Sequence, residues 1–230
     1  WRAMETRDLV ALTTRQWSEL ATDDLLSLID TQWFSVATDD LLALTPTQWQ
    51  QVGRNLSTSQ WSVLREEQLN ALTTDLWATV STSNLQSMTS SQWFGMESDD
   101  LVALTSNQWR DLSTANLTAI STSGWAALET VDVNALTTVQ WQAVDTDDLV
   151  ALITSQWLGF QTDDLRSLGS VQWRVVETVD LAALSEQQWV SLGISNLRSL
   201  TTSQWSFLNT EDLHALTSVQ WAGVLTEALD

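Results

Sequence analysis

The stretch LTPTQWQQV at residues 44–52 contains the pattern that decides the fold. A Ser/Thr pair precedes Gln-Trp, which is followed by two variable residues and an aliphatic one. All 15 Trp of the 230-residue chain follow this series, at intervals of 16 residues except for one interval of 12 between Trp49 and Trp61. Such a fixed period predicts a stacked repeat architecture. The Trp to which we assign a structural role in the stack are Trp17, Trp33, Trp49, Trp61, Trp77, Trp93, Trp109, Trp125, Trp141, Trp157, Trp173, Trp189, Trp205 and Trp221.

Each 16-residue unit consists of two octads, which we name the Gln-Trp octad (TTRQWSEL at 13–20) and the Asp-Leu octad (ATDDLLSL at 21–28). Their large apolar residues are spaced alternately by three and five residues. Odd separations would place successive apolar residues on opposite faces of a β-strand. In one continuous helix, eight residues overshoot two full turns by roughly 80°. The spacing therefore predicts a series of very short helices, each ended and restarted.

Signals for a helix start occur in each octad. Thr45 is expected to be the N-cap, with Pro46 at the first helical position and Gln48 completing a capping box. Leu44 and Trp49 occupy the positions of a hydrophobic staple. In the Asp-Leu octads we expect the cap one residue later, so that the acidic pair lies in the first turn. The caps expected there are Thr22, Thr38, Thr146 and Thr162.

Helices of about six residues are shorter than the ~12–15 needed to persist alone in water, so they must be stabilised by neighbouring coils. We therefore predict an all-α solenoid of very short N-capped helices, two per 16-residue coil. At roughly 8–10 Å between packed helices, about 14 coils would form an elongated rod. Residues 1–230 are treated as a single repeat array and as a segment of a longer chain or assembly, because neither end shows a polar capping repeat. Four residues are missing from the octad at 53–56, where Gly53 is expected to permit a bend.

The charge of the chain limits its partners. The net charge is −20, and all nine basic residues are Arg. Because phosphate binding needs basic patches, no nucleic-acid partner is expected. No apolar run approaches 18 residues, so no membrane insertion is expected either. The absence of Cys from the sequence excludes disulfides and thiol chemistry.

Two ladders of side chains follow from the period. The Trp are interpreted as core residues, with an exposed row that binds sugars or bases as the alternative. We expect their indole N–H groups to bond to the preceding Gln or to a carbonyl of the adjacent coil. The Gln are interpreted as capping-box residues, with amide bonds between coils or chains as the alternative. They are Gln16, Gln32, Gln48, Gln60, Gln92, Gln108, Gln140, Gln156, Gln172, Gln188, Gln204 and Gln220.

The acidic pairs are the candidates for a metal site. They are expected to stack along one edge, where bound Ca²⁺ would relieve the repulsion between like charges. Because no calcium-loop spacing occurs, a solvated face is the main interpretation, and weak Ca²⁺ binding is the only cofactor suggested. The pairs are Asp23 and Asp24, Asp39 and Asp40, Asp99 and Asp100, Asp147 and Asp148, and Asp163 and Asp164.

Nothing in the sequence predicts catalysis. A carboxylate pair can serve as acid and base, but these pairs recur along the chain, whereas a catalytic site is normally unique. His214, the only His, is expected to be a surface substitution. The Ser and Thr rows, which resemble ice-binding hydroxyl arrays, are assigned to helix caps. We therefore expect no enzyme.

The stretch LTTVQWQAV at residues 136–144 resembles short tandem repeats of some large bacterial secreted and surface proteins, although the regular Trp replaces their usual Val, Leu or Ile. The resemblance implies an extracellular or cell-surface setting with a structural or adhesive role, and it carries over no functional residue. Our hypothesis is a non-catalytic, self-assembling or extended filament, surface or adhesin component. The alternatives are a scaffold that binds cations, glycans or ice along one repeated face, and a spacer between other domains.

Overall fold

The computed structural model describes residues 1–33, 35–52, 56–70 and 72–225. These residues form 27 α-helices of four to eight residues and no β-strand. None of the described helices has the length and apolar character that a membrane span requires. In chain order the helices are α1 Thr6–Val10, α2 Thr14–Glu19, α3 Thr22–Leu26, α4 Asp30–Trp33, α5 Thr38–Leu41, α6 Pro46–Val52, α7 Thr58–Trp61, α8 Glu66–Leu69, α9 Thr74–Trp77, α10 Thr82–Ser87, α11 Ser90–Phe94, α12 Ser98–Val102, α13 Ser106–Asp111, α14 Thr114–Leu117, α15 Thr122–Ala127, α16 Thr130–Val133, α17 Thr138–Ala143, α18 Thr146–Ala151, α19 Thr154–Gly159, α20 Thr162–Ser167, α21 Ser170–Val175, α22 Thr178–Leu181, α23 Glu186–Ser191, α24 Ile194–Ser199, α25 Thr202–Phe207, α26 Thr210–Ala215 and α27 Ser218–Leu225.

An extended residue begins each helix whose N-cap angles are described, and in many helices an extended residue also ends it. Between α17 and α18 the chain passes through Val144 (φ −62°, ψ 129°) and Asp145 (φ −78°, ψ 173°). The predicted capping box is confirmed at Thr45, whose N–H donates to Gln48 Oε1 at 2.6 Å while its Oγ1 accepts from Gln48 N–H at 3.4 Å. Since the extended residues lie in the ordinary β region, the chain restarts each helix without a positive φ in the described residues.

The predicted position of the cap in the Asp-Leu octads is wrong by one residue. The N-caps of α3, α18 and α20 are Ala21, Asp145 and Gln161, so Thr22, Thr146 and Thr162 are first helical residues. Thr38 likewise begins α5. The reason is that every helix places its large apolar residue four positions after the cap, as Leu25 follows Ala21 and Trp17 follows Thr13. Packing of that residue outweighs the local preference for a Thr cap.

The chain divides into two compact units, Trp1–Ile120 and Ser121–Asp230. Within the first unit α1 packs on α4, α2 on α5 and α3 on α6. Within the second, the same three-place step joins α15 to α18 and continues to the pair α24 and α27. In every one of these pairs a Gln-Trp octad meets an Asp-Leu octad.

The solenoid of short helices, two per 16-residue repeat, is confirmed, but that repeat is not a full coil. In the pairs named above each helix packs on the third helix along, whereas α6 packs on α8, and amide hydrogen bonds such as that of Gln172 reach the fourth helix, 28 residues away. The packing within each unit therefore joins helices of different repeats that lie three places apart in chain order. Two stacked helices enclose no interior, whereas a ring of three or four encloses space for an indole.

The apolar residue of each helix points into this interior. Trp157 and Leu165 are fully buried, and Leu168 at the end of the same Asp-Leu octad is nearly so. Each such side chain contributes about 1.5–3 kcal/mol by leaving water. Packing between helices three places apart is close, since a Cβ built on Gly159 of α19 would lie 2.0 Å from Thr130 Cγ2 of α16.

The shortened octad at 53–56 does not interrupt the hydrogen-bond ladder. The bend predicted there, and the role of Gly53, fall on residues 53–55, which lie outside the described residues. Leu56 is buried. Gln60 donates to Trp33 O at 2.8 Å and Val36 O at 3.3 Å, 27 and 24 residues earlier, where other Gln reach 31 and 28. The hydrogen bonds therefore continue across the shortened octad, with sequence separations that are four residues smaller.

Candidate functional site

The candidate site is a ladder of polar side chains at the third residue of each helix, which we call the N3 position. In the Gln-Trp octads this residue is Gln, except that Leu76 of α9 and Gly124 of α15 interrupt the ladder. Gln172 accepts the Gly169 N–H at 2.8 Å through Oε1. Its Nε2 donates to Trp141 O and Val144 O, both at 2.8 Å. One amide thus bonds to the N–H of the N-cap of α21 and to two carbonyls at the end of α17, of which Trp141 O also accepts the Val144 N–H.

The same pattern recurs along the chain. Both roles considered for the Gln are present, because the same side chains complete capping boxes and bond between coils. Gln16 caps α2 through Thr13, whose N–H donates to Gln16 Oε1 at 2.8 Å. The other N3 Gln with described bonds to backbone carbonyls earlier in the chain are Gln32, Gln48, Gln60, Gln68, Gln92, Gln108, Gln156, Gln188, Gln204 and Gln220.

The Trp row lies in the interior for most of its length. Trp205 and Trp221 are half-buried, and Trp1 is exposed. Phe160 stacks on Trp157 with ring centroids 5.0 Å apart. The buried rings are closed to sugars or bases. The fully buried Trp are Trp17, Trp33, Trp49, Trp61, Trp77, Trp93, Trp109, Trp125, Trp141, Trp157, Trp173 and Trp189.

The expectation that the indole N–H bonds to the preceding Gln is wrong where the structure describes it. The Gln amides bond to backbone N–H and carbonyl groups instead. Three indoles instead face a carboxyl group 23 residues further on: Trp77 faces Asp100, Trp125 faces Asp148 and Trp189 faces Asp212. The geometry of the Trp77 pair falls short of an ordinary hydrogen bond, since Trp77 Nε1 and Asp100 Oδ2 are both buried without a partner at bonding distance.

The acidic pairs do not form one exposed edge. The first residue of each pair is exposed, at Asp23, Asp39, Asp99, Asp147 and Asp163. The second occupies N3, where it is buried, except at Asp24, which is half-buried. The buried members are Asp40, Asp100, Asp148 and Asp164.

Burial raises the pKa of these N3 carboxyl groups. Desolvation is the largest cause for Asp100, whose pKa is raised to about 6, and the charge of Glu97 adds to it. Burial and then the charge of Asp145 raise the pKa of Asp148 to about 7. Burial and then Asp163 raise the pKa of Asp164 to about 6. Burial also raises the pKa of the remaining shifted N3 aspartates, Asp40, Asp180 and Asp212.

Some Asp-Leu octads carry an amide at N3 instead. Asn196 Nδ2 donates to Leu168 O at 3.1 Å, and Asn84 Nδ2 donates to Leu56 O at 3.2 Å. These bonds span 28 residues, as those of the Gln do. An ionised Asp at this position keeps only the acceptor function, as Asp212 Oδ2 does when it accepts Asn209 N–H at 3.1 Å.

Within the described part of the chain, no group of three or more His, Asp or Glu side chains is placed to hold a metal ion. His214 is exposed, as expected. It lines an open groove of about 470 Å³ together with Glu186, Glu211 and Asp212. These groups do not converge on one point, so the groove offers a polar surface and no coordination site.

Sequence reasoning treated the acidic pairs as uniform and missed the burial of their second member. The signal was available, because Asp164 immediately precedes Leu165 as Gln156 immediately precedes Trp157, one octad earlier. Both therefore occupy N3. The register relative to the core residue, not the charge pattern, identifies the buried carboxyl group.

No family model, curated protein or solved structure matches this chain. A functional assignment therefore depends on the geometry of the N3 ladder and of the surface around it. The resemblance to tandem repeats of bacterial surface proteins stays an interpretation of the sequence pattern.

Proposed function

We propose that this chain is a non-catalytic structural repeat protein, a component of an extracellular filament, surface layer or adhesin stalk that associates with further copies of itself. The observation that carries the proposal is the N3 ladder. Its buried amides serve the neighbouring coil, as Gln172 and Gln204 do through paired bonds of 2.8–2.9 Å to carbonyls of an earlier helix. The N3 amides, which are the most regular polar residues of the sequence, thus hold the helices together. This structural role supports a function without catalysis.

Repetition of the surface supports association between copies. Val139 and Val171 lie at the second position of α17 and α21, which the Gln172 amide joins as neighbouring coils. Their side chains are 66% and 64% exposed. Ser occupies the same position in α11, α19 and α25. An exposed apolar residue that recurs on adjacent coils favours lateral contact with an equivalent row on a second copy.

The remaining parts of the proposal concern setting and partners. The extracellular or cell-surface location is supported by the tandem-repeat pattern. Nucleic acid is not proposed as a partner, because the net charge is −20. Asp99, Asp147 and Asp163 are exposed carboxylates that a cation can reach. The effect of a cation on association between copies is therefore part of the test.

The test is electron microscopy and sedimentation velocity of the purified chain, dilute and concentrated, with and without millimolar Ca²⁺. We expect concentration-dependent assemblies with an axial repeat. The variant Val139→Ser/Val171→Ser should weaken association, and Val131→Ser/Val179→Ser, which alters exposed valines of the Asp-Leu octads, is the matched control.

Single particles at every concentration would overturn the self-assembly proposal and favour a spacer. Stabilisation of such particles by a cation or a glycan would instead favour the binding scaffold.

A further inference from the structure

The buried N3 aspartates are the polar groups that the structural proposal leaves unexplained. Asp100 and Asp164 are 6% and 5% exposed, and each lies in a helix start otherwise equivalent to those that carry N3 amides. Asn196 has the same shape as Asp, and its Nδ2 lies 3.1 Å from Leu168 O and 3.3 Å from Arg166 O. An aspartate in this position is directed toward the carbonyl groups at the end of the helix four places earlier.

An ionised carboxylate is poorly suited to this environment. It has no hydrogen to donate, so it presents an oxygen of its own to these carbonyl oxygens. At Asp100 the Trp77 indole N–H favours the ionised form, but it is not at bonding distance, and burial raises the pKa nonetheless. Asp100 Oδ2 is buried without a partner at bonding distance. A protonated carboxyl group supplies the missing O–H and retains an acceptor oxygen for the N-cap N–H.

We propose that acid stabilises this fold, because each buried N3 aspartate that takes up a proton becomes able to donate a hydrogen bond across coils as the N3 amides do. The proton comes from water, and no covalent bond of the chain changes. The array then has pH-independent connections at its amides and pH-dependent connections at its N3 aspartates.

The charged groups around these aspartates oppose ionisation. On its own helix Asp100 faces Glu97 and Asp99, and the helix packed against it, α9, adds only Asp75.

Asp164 faces Asp163 on its own helix. Arg166 of that helix lies 3.9 Å from Asp163. The packed helix α17 carries no charged residue, and α23 adds Glu186. No cation therefore offsets the burial of either carboxyl group among the described residues.

The direction of the pH effect follows from the pKa values in the two states. Both groups have a pKa of about 6 in the folded chain and 3.8 as the ordinary value. The folded state holds the proton more tightly, so its stability is greatest below the ordinary pKa and is lost as the pH rises through about 6. A full shift of this size changes the unfolding equilibrium constant by about a hundredfold per group. Solvent access to the carboxyl group reduces this factor toward about tenfold.

The test is urea unfolding at about pH 5 and about pH 8, followed by Trp fluorescence and circular dichroism. We expect the unfolding constant of the parent chain to be at least about tenfold larger at the higher pH. In Asp100→Asn/Asp164→Asn the share of these two groups, about tenfold each in the unfolding constant, should disappear, and the stability at the higher pH should rise. The share of Asp148, whose pKa is raised to about 7, should remain. The matched control, Asp99→Asn/Asp163→Asn, changes the net charge equally on the same helices but at exposed positions.

Equal effects of the two double variants would overturn the proposal, because they would assign the pH dependence to net charge. A parent chain that is more stable at the higher pH would also overturn it. Carboxyl carbon resonances provide a test without a variant, since Asp100 and Asp164 should titrate near 6 whereas ordinary values for both would contradict the mechanism.

Discussion

The Gln-Trp and Asp-Leu octads build the same short helix around different interior groups. Hydrogen bonds of the Gln amides join like octads four helices apart, whereas packing joins unlike octads three helices apart. Each octad type therefore contributes something the other lacks. The Gln-Trp octads supply indole volume and amide bonds that are the same at every pH, and the Asp-Leu octads place a carboxyl group where a donor is needed.

The largest expected difference concerns the core residue. Trp157→Ala removes a fully buried indole that stacks on Phe160 and should reduce the free energy of unfolding by about 3–5 kcal/mol. Leu165→Ala in the following Asp-Leu octad should cost less in the same buffer, within about 2–5 kcal/mol. Urea unfolding measures both.

The exposed neighbour Leu158 is the control for the core comparison. Leu158→Ala should change the free energy of unfolding by less than about 0.5 kcal/mol. A Trp157→Ala cost no greater than that of Leu158→Ala would contradict the enclosed Trp row.

The second prediction converts one octad type toward the other. Gln172→Glu keeps an acceptor for Gly169 N–H but loses the donor to Trp141 O and Val144 O. We expect a loss of about 2–4 kcal/mol near neutral pH, because the buried carbonyls lose their partner and a charge is desolvated. Burial should raise the pKa of the new carboxyl group above about 4.3, so part of the loss should be recovered as the pH falls.

Gln172→Ala separates the two causes of that loss. It removes the bonds to Trp141 O and Val144 O, as Gln172→Glu does, and also the bond from Gly169 N–H. Because it introduces no titratable group, its cost relative to the parent should be independent of pH over the same interval. Equal pH profiles for Gln172→Glu and Gln172→Ala would show that the N3 carboxyl group does not behave as we infer.

The features that could be predicted from the sequence are those that depend on a few neighbouring residues. The capping box of Thr45 and Gln48 needs only a four-residue stretch and a core residue beside it. The number of helices per coil could not be predicted from the octad spacing, because it depends on the interior width that the indoles require. The cap at Ala21 was missed because Thr22 has the better intrinsic propensity, and the position of Leu25 overrides it.

The burial of Asp164 was missed for a related reason. The pair Asp163 and Asp164 looks uniform in sequence, but only the residue directly before Leu165 faces the preceding coils. The position of a side chain relative to the core residue thus predicts its burial better than its charge does.

The third prediction breaks the contact between unlike octads. Gly159→Ala would place a Cβ 2.0 Å from Thr130 Cγ2, so either the Thr130 side chain must leave its rotamer or α16 and α19 must separate, at a cost of about 1–3 kcal/mol. Thr130→Ser removes the methyl group that clashes and should restore much of the loss in the double variant. Gly169→Ala is the control, because the nearest atom to its Cβ is Gln172 Oε1 at 3.7 Å. Additive costs in the Gly159 and Thr130 cycle would show that the two residues do not meet.

The smallest expected effect compares the caps. Thr137 accepts the Gln140 N–H at 3.3 Å in a Gln-Trp octad, whereas Glu177 makes no side-chain cap bond in an Asp-Leu octad. Thr137→Ala should therefore cost about 0.5–2 kcal/mol, and Glu177→Ala should stay within about 0.5 kcal/mol. Glu177→Thr adds the missing acceptor and should stabilise the chain by about 1 kcal/mol. If Glu177→Ala proved as costly as Thr137→Ala in urea unfolding, the side-chain cap bond of Thr137 would not account for the difference between these two helix starts.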